Sequence, residues 1–321
     1  MNDLSSRTCA VFRSLAEIPA SFGPTVAAIG NFDGVHRGHQ EILSAVVAEA
    51  HAVRARAMVI TFEPHPEQFL RPALAPKLIT PVHERIRLLT ATGVDAVVVL
   101  TFDAALAKMR ARDFVQRVLI EALQVCSLHE GGNFRFGHRA EAGVKELTDF
   151  GTEFGFAVHV HLAVRVHGLE VSSSAIRASV AAGDMKRARR MLGRPFAVRS
   201  TQARGRGIGK RLLVPTVNFA AYDGLLPAFG VYVTRLTVAG RCFHAVTNVG
   251  NRPTFEGAGF SVETHILDFE PIDLSEDLAL ELEFLLRLRS EIQWPSPDAL
   301  KAQIFRDVAR AKRYFQLCAR V

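Results

Sequence analysis

The stretch from Thr25 to Val53 constrains the fold of this chain more than any other. Thr25-Val26-Ala27-Ala28-Ile29 is an apolar run of strand length, Gly30 and Gly34 punctuate a turn, and Ile42, Leu43, Val46, Val47, Ala50 and Val53 recur at helical spacing. The segment predicts strand, glycine turn, helix. The first N–H groups of such a helix lack intrahelical partners and its dipole is positive there, so it accepts an anion. His36 and His39 lie on that first turn and add hydrogen bonds that strengthen as a phosphate gains charge in a transition state. The bland alternative is one surface histidine and one contact at the helix start. Gly30, Asn31, Phe32, Asp33 and Gly34 weigh against it, because glycines and small polar residues let backbone approach a ligand closely.

The same rhythm continues to about residue 185. Apolar runs at Ala57 to Phe62, Ala96 to Leu100, Val125 to Leu128 and Ala157 to Leu162 predict strands, with helical patterns at Glu84 to Ala91, Arg112 to Leu123 and Val144 to Phe154. That alternation belongs to a parallel sheet covered on both faces, whose ligands sit at the carboxyl ends of its strands. After Arg187-Ala188-Arg189-Arg190-Met191-Leu192-Gly193-Arg194-Pro195 it changes to short alternating strands, at Val231 to Val238, Cys242 to Thr247, Val262 to Leu267 and Ala279 to Leu285. An antiparallel barrel or sandwich of roughly a hundred residues fits them. A closing helix is capped by Ser296, starts at Pro297 and carries Leu300, Ile304, Val308, Ala311 and Phe315 as one apolar stripe. The expected domains are 1–186 and 187–321. A chain of 321 residues, 49% hydrophobic, has the length and apolar content for two cores.

Composition removes other classes. The longest aliphatic run, Ala96 to Leu100, is far too short to cross a bilayer, and the amino-terminal stretch carries Asp3, Arg7, Arg13 and Glu17 without a signal-peptide core. A cytoplasmic protein without membrane contact is expected. Cys9, Cys126, Cys242 and Cys318 are scattered, which suits reduced thiols and argues against structural zinc. The formal charge of +7 is dispersed, only seven of 39 basic residues are lysines, and no basic stripe interleaved with aromatics appears, so nucleic acid is not an expected partner.

Four motifs in the first half, Gly30-Asn31-Phe32-Asp33-Gly34-Val35-His36-Arg37-Gly38-His39, Thr61-Phe62-Glu63-Pro64-His65-Pro66, Gly132-Asn133-Phe134-Arg135-Phe136-Gly137 and Val171-Ser172-Ser173-Ser174-Ala175-Ile176-Arg177, occur together in order. The second half adds Pro215-Thr216-Val217-Asn218, Asn248-Val249-Gly250-Asn251-Arg252-Pro253-Thr254-Phe255 and Glu263-Thr264-His265-Ile266-Leu267-Asp268-Phe269. Over nearly its whole length the chain resembles the bacterial bifunctional riboflavin kinase and FMN adenylyltransferase family, or prokaryotic FAD synthetases. The resemblance implies a Rossmann-like α/β nucleotidyltransferase domain with a parallel sheet, then a small antiparallel β-barrel riboflavin kinase domain with a carboxyl-terminal helix. It implies two reactions: ATP phosphorylates riboflavin to FMN, and FMN then attacks the α-phosphate of a second ATP, giving FAD and pyrophosphate. The small-molecule partners are ATP, riboflavin and FMN, with Mg²⁺ accompanying ATP; whether the chain self-associates weakly is left open.

Site residues follow from the motifs. His36 and His39 would neutralise charge at the α-phosphate, Arg177 would clamp the outer phosphates, and Ser172, Ser173 and Ser174 would donate to them. Asn133, Phe62 and Arg252 are the implied flavin contacts, with a turn role as the alternative for Asn133; His65, between prolines, reads equally as rigid turn or site residue. For the kinase, Glu263 is the implied base, and Thr216 and Asn218 are oxygen donors two apart on one side of an extended segment, suited to a Mg²⁺ that keeps several waters. Gly205-Arg206-Gly207-Ile208-Gly209-Lys210-Arg211 fails the Walker pattern, and is identified with the family's glycine-rich flap over ATP phosphates, with Lys210 supplying charge. Leu213 stands where the family usually has glycine, Val214 where it has an aromatic, Ser275-Glu276 where Tyr-Gly is common, and Trp294 where phenylalanine is. Leu213 motivates the alternative of a monofunctional adenylyltransferase with a flavin-binding but weakly active or inactive barrel.

Overall fold

The computed structural model describes residues 9–203, 216–220, 222–254, 257–268 and 278–319, with backbone alone for 251–254 and 257–260. It divides into two compact units, Met1–Ser173 and Ser174–Val321.

In the first unit six strands, β1 (Ala10–Phe12), β2 (Thr25–Ile29), β3 (Arg56–Glu63), β4 (Ala96–Thr101), β5 (Val125–Gly131) and β6 (Ala157–His161), form one sheet in the order β1-β4-β3-β2-β5-β6. Every pairing is parallel. Its principal helices are α1 (Arg37–Val53), α2 (Val82–Thr90), α3 (Phe114–Ala122) and α4 (Val144–Phe154). All five residues of β2 are buried, because apolar cores lie on both faces of the sheet. On one face Ala27, Ile29, Met58, Ile60 and Val98 meet Phe114, Val118, Leu119 and Leu147. On the other Val26, Ala28, Val59 and Val97 meet Leu43, Val46, Ala50 and Leu89 of α1 and α2. The helix expected over Arg112 to Leu123 is largely a π-helix, Phe114–Ala122, and the edge strand β1 carried too short an apolar run to be anticipated.

From β2 the chain steps through β3 and β4 to one side, and places β5 and β6 on the other. The order therefore reverses between β2 and β5, and open α/β sheets take their ligands beyond the carboxyl ends of the strands at such a switch.

The second unit holds α5 (Ser173–Ala181, whose first residue belongs to the first unit), α6 (Met185–Leu192), β7 (Phe196–Thr201), β8 (Thr216–Asn218), β9 (Gly230–Val238), β10 (Arg241–Thr254), β11 (Gly257–Ile266), β12 (Ala279–Ser290) and α7 (Pro297–Cys318). The unit starts before the change of rhythm at 187 because α5 and the loop after it bond to barrel residues: Ala228 N–H donates to Val180 O at 3.4 Å and Arg287 to Ala182 O at 3.4 Å. Its strands form one antiparallel sheet in the order β7-β12-β9-β10-β11-β8. The outer strands then meet. Ala203 N–H donates to Asn218 O and Ala220 N–H to Thr201 O, both at 2.9 Å, so the sheet closes into a barrel and both edges are paired. Strands β10 to β12 outrun the expected segments, since polar residues continue the ladder past each alternating run. Ser296 caps α7 by accepting from Ala299 N–H at 3.2 Å, and Val308, Ala311 and Phe315 of the stripe pack against Val231, Val233, Val246 and Leu285.

Candidate active site

At the carboxyl end of β2 the backbone makes a turn that few residues tolerate. Phe32 has φ 47°, Gly34 88° and Val35 38°. A β-branched residue in the left-handed region is costly, on the order of 1–3 kcal/mol, and persists only where its surroundings hold it. Two buried groups do so here. Asp33, 1% exposed, accepts from Ile79 N–H (3.0 Å), Thr80 N–H (2.9 Å) and the Thr80 hydroxyl (3.2 Å), while Thr80 Oγ1 accepts from Gly34 N–H at 2.9 Å. Both Asp33 carboxylate oxygens accept hydrogen bonds from this loop. Arg85 on α2, fully buried, donates to Asn31 O (3.2 Å), Phe62 O (2.8 Å) and the Glu63 carboxylate (2.9 Å), tying the ends of β2 and β3 together. Burial pulls its guanidinium below its usual range, against the charges of Glu63 and Asp33.

The turn delivers two imidazoles. His36 is the cap of α1, its Nδ1 accepting from His39 N–H at 3.3 Å, so a neutral His36 ring carries its proton on Nε2. The two rings stack with centroids 3.5 Å apart and planes at 16°, and Phe32 meets His39 edge-on at 5.0 Å. Two imidazolium ions at that spacing repel. Burial, then the neighbouring His36, depress His39 well below the usual histidine range, so His39 is neutral at physiological pH. Its Nδ1 is sealed off without a hydrogen-bond partner. Gly38 faces the pair: a Cβ there would lie 3.3 Å from the His36 ring.

Around this centre Ser173, at the start of α5, donates its hydroxyl to Asp33 O at 2.9 Å. Ser172 is half-buried beside it, while Ser174, exposed, and Arg177, half-buried, follow on α5 in the second unit. Gly30 N–H donates to Ile60 O at 3.0 Å. Asn133 is exposed in the turn after β5, and Phe62, partly buried at the end of β3, meets Phe102 edge-on at 5.9 Å. His65 Nδ1 accepts from Glu67 N–H at 3.2 Å and caps a short helix, Pro66–Leu70.

The barrel brings a second group together. Glu263 on β11 is the register partner of Asn218 on β8 and of Asn248 on β10, and Thr216 is opposite His265. Since strand side chains alternate, Thr216, Asn218, Asn248 and Glu263 share one face. Glu263 is exposed and its Oε1 accepts from the Ser261 hydroxyl at 3.1 Å. On the opposite face buried Thr234, Thr247 and Thr264 form a hydroxyl ladder at 2.8 and 2.9 Å. Gly205, Gly207, Gly209, Lys210 and Leu213 lie outside the described residues, as do Ser275 and Glu276, and of Arg252 the backbone alone is described.

Sequence reasoning missed Arg85 and Glu130. Arg85 showed only as a charge at a helix position spaced for the core. Glu130, 3% exposed on β5, accepts Ile29 N–H at 2.7 Å beside the turn.

Known proteins match this arrangement in both halves. Residues 18–175 match the family described as FAD synthetase and residues 192–315 the family described as riboflavin kinase. The bifunctional riboflavin kinase/FMN adenylyltransferase of Pseudomonas fluorescens is 37% identical over 89% of this chain and 92% of its own length. That of Escherichia coli K12 is 34% identical over 91% and 93%. A solved structure from Streptococcus pneumoniae, described as a macrolide-efflux protein, superposes with a TM-score of 0.83 at 26% identity, covering 95% of this chain and 99% of that one. No helix among the described residues is long and apolar enough to cross a membrane. With both family matches in order and relatives aligned end to end, the chain belongs to the bifunctional riboflavin kinase/FMN adenylyltransferase family.

Proposed function

We propose that the chain makes FAD from riboflavin in two steps divided between residues 1–186 and 187–321, in the cytoplasm, with ATP, riboflavin and FMN as its small-molecule partners. The observation that carries the adenylyl step is the stacked His36–His39 pair, with His39 neutral, at the amino end of α1, next to the switch between β2 and β5. An FMN phosphate oxygen attacks the α-phosphorus of ATP, the bond to the bridging oxygen breaks, and pyrophosphate leaves. The nucleophile is already an anion, so no strong base is needed; the site holds the reactants in line and stabilises charge on the equatorial oxygens. His36 Nε2–H and the first N–H groups of α1 supply that from a turn fixed by Asp33 and Arg85. Arg177 clamps the departing phosphates bidentately and Ser172 to Ser174 donate to them, roles supported by the motif they share with the family. Asn133, Phe62 and Arg252 contact flavin on the same ground, and Gly30 and Asn31 line the phosphate side of the turn.

In the kinase step Glu263 takes the proton from a riboflavin hydroxyl as that oxygen forms its bond to the γ-phosphorus and ADP leaves. Its place on a closed barrel strand, in register with Asn218 and Asn248, fixes its geometry. Thr216 and Asn218, beside Glu263, are an oxygen donor set that fits Mg²⁺, which when bound supplies positive charge against the phosphates. Gly205, Gly207, Gly209 and Lys210 cover those phosphates.

Timed separation of riboflavin, FMN and FAD from one purified sample tests the whole scheme. Glu263→Gln is expected to abolish FMN formation while supplied FMN still becomes FAD, and His36→Ala to do the reverse. If either variant, folded, loses both activities, the division of labour is wrong; if the wild type makes no FMN, the kinase step is.

A further inference from the structure

We propose that Glu49, His129 and His159 form a binding site for one divalent transition cation, of the zinc class, on the sheet face that α1 covers. The placement is built from rigid elements. His129 on β5 and His159 on the edge strand β6 are direct register partners, so their rings project from one face, 4.6 Å apart. Glu49, from α1, lays Oε2 2.6 Å from His129 Nε2 and 3.3 Å from His159 Nε2. One ligand atom from each residue lies within 4.8 Å of the others. Tetrahedral zinc with bonds of about 2.0–2.1 Å sets its ligands about 3.3 Å apart, so the Glu49–His159 pair already has the spacing, the 2.6 Å Glu49–His129 contact must open by about 0.7 Å, and His129 and His159 must adjust to each other from within 4.8 Å.

A partner for the ligand is also present. His161, two residues beyond His159, sets Nε2 2.9 Å from His129 Nδ1, the kind of outer contact that orients a metal-bound imidazole. The 2.6 Å contact between His129 Nε2 and Glu49 needs a proton between them. A cation takes its place and that proton leaves to solvent. Two imidazoles and one carboxylate select against Mg²⁺, which prefers oxygen alone, and His159, half exposed, leaves water access to a fourth position. The site is separate from the adenylyl centre: Glu49 lies thirteen residues beyond His36 on α1, about 20 Å along the helix axis. Its occupant would clamp α1 to β5 and to β6, which has a strand neighbour on one side only.

The test is a titration of the full chain, stripped with a chelator, with Zn²⁺ alone by calorimetry, and with Co²⁺ for the absorption of a low-coordinate site. One ion per chain and a raised thermal midpoint are expected. His159→Ala and Glu49→Gln should each weaken binding about tenfold or more and remove the thermal shift, with the metal-free far-UV spectrum unchanged. His36→Ala guards against capture by the stacked pair and should bind as the wild type does. No binding, binding equal in the wild type and both cluster variants, or binding lost in His36→Ala overturns the proposal.

Discussion

Glu130 gives the sharpest test of how the end of β2 is held. Its carboxyl is 3% exposed, accepts one N–H, from Ile29 at 2.7 Å, and has no cationic partner among the described residues. Burial raises its pKa well above the ordinary value of 4.5, and the single Ile29 hydrogen bond opposes this without cancelling it. The group is therefore protonated in the folded protein over a range where it ionises in the unfolded chain. The folded state then binds more protons, and stability falls as pH rises from about 4.5 to the folded pKa. Each pH unit of that window costs about 1.4 kcal/mol. Glu130→Gln keeps a carbonyl for Ile29 N–H and cannot ionise, so it removes this slope. Urea unfolding followed by far-UV circular dichroism at a series of pH values, with variant and wild type side by side, reads the difference. The two should converge near pH 4.5 and diverge above it, the variant being more stable. Emission from Trp294, the one tryptophan and a residue of the other unit, should report the same midpoint in both proteins. Parallel curves with no divergence would mean that Glu130 is ionised when buried, and the argument from desolvation would fail.

Other substitutions separate the parts. Gly38→Ala puts a Cβ 3.3 Å from the His36 ring, and is expected to slow FAD formation about tenfold by displacing the stack, leaving FMN formation unchanged. Because alanine favours a helix over glycine by about 1 kcal/mol, the same variant should unfold no more easily than wild type, so the loss is positional. Arg85→Met takes a donor from the part-buried Phe62 carbonyl, from Asn31 O and from the Glu63 carboxylate, which should lower the stability of the parallel-sheet unit by about 3 kcal/mol and slow adenylyl transfer, while Trp294 emission keeps its midpoint. Thr247→Val orphans the Thr234 and Thr264 hydroxyls, which should cost the barrel about 1–3 kcal/mol, read as an earlier urea midpoint for Trp294 emission.

The strand-turn-helix of residues 25 to 53, the parallel rhythm and the closing helix were legible because each is a local pattern: burial of β2 on both faces is written as four apolar residues in a row after Thr25. The place of His36 and His39 at the start of α1 was legible for the same reason, while His36 as the cap itself is a finding of the structure. What holds the turn was not. Asp33 finds its partners at Ile79 and Thr80, and Arg85 reaches back to Asn31, and neither pairing has a spacing that sequence alone constrains. The histidines at 159 and 161 sat in an apolar strand run and read as strand residues, and His129 fell one residue past another run. Only the register of β5 on β6, a tertiary fact, sets two of them side by side. In the barrel the reverse holds: Thr216, Asn218 and Glu263 came from motifs, and the register then supplied the shared face that no single strand could announce.

These pieces explain why the first turn of α1 can carry charge chemistry at all. A phosphate site needs donors that stay aimed while charge moves, and a glycine turn alone is too compliant to provide them. Here the freedom given by Gly34 is taken back by Val35 at φ 38° and Phe32 at φ 47°, which settle in the left-handed region only because Asp33 and Arg85 anchor the loop on both sides. The anchoring groups are buried, with both Asp33 oxygens and the two terminal nitrogens of Arg85 bonded to backbone and to neighbouring side chains, leaving the imidazoles as groups of the turn with protons to offer. Strain stored in the turn and polar groups buried beneath it are thus one device: the first fixes the direction of His36, and the second keeps folding from releasing it.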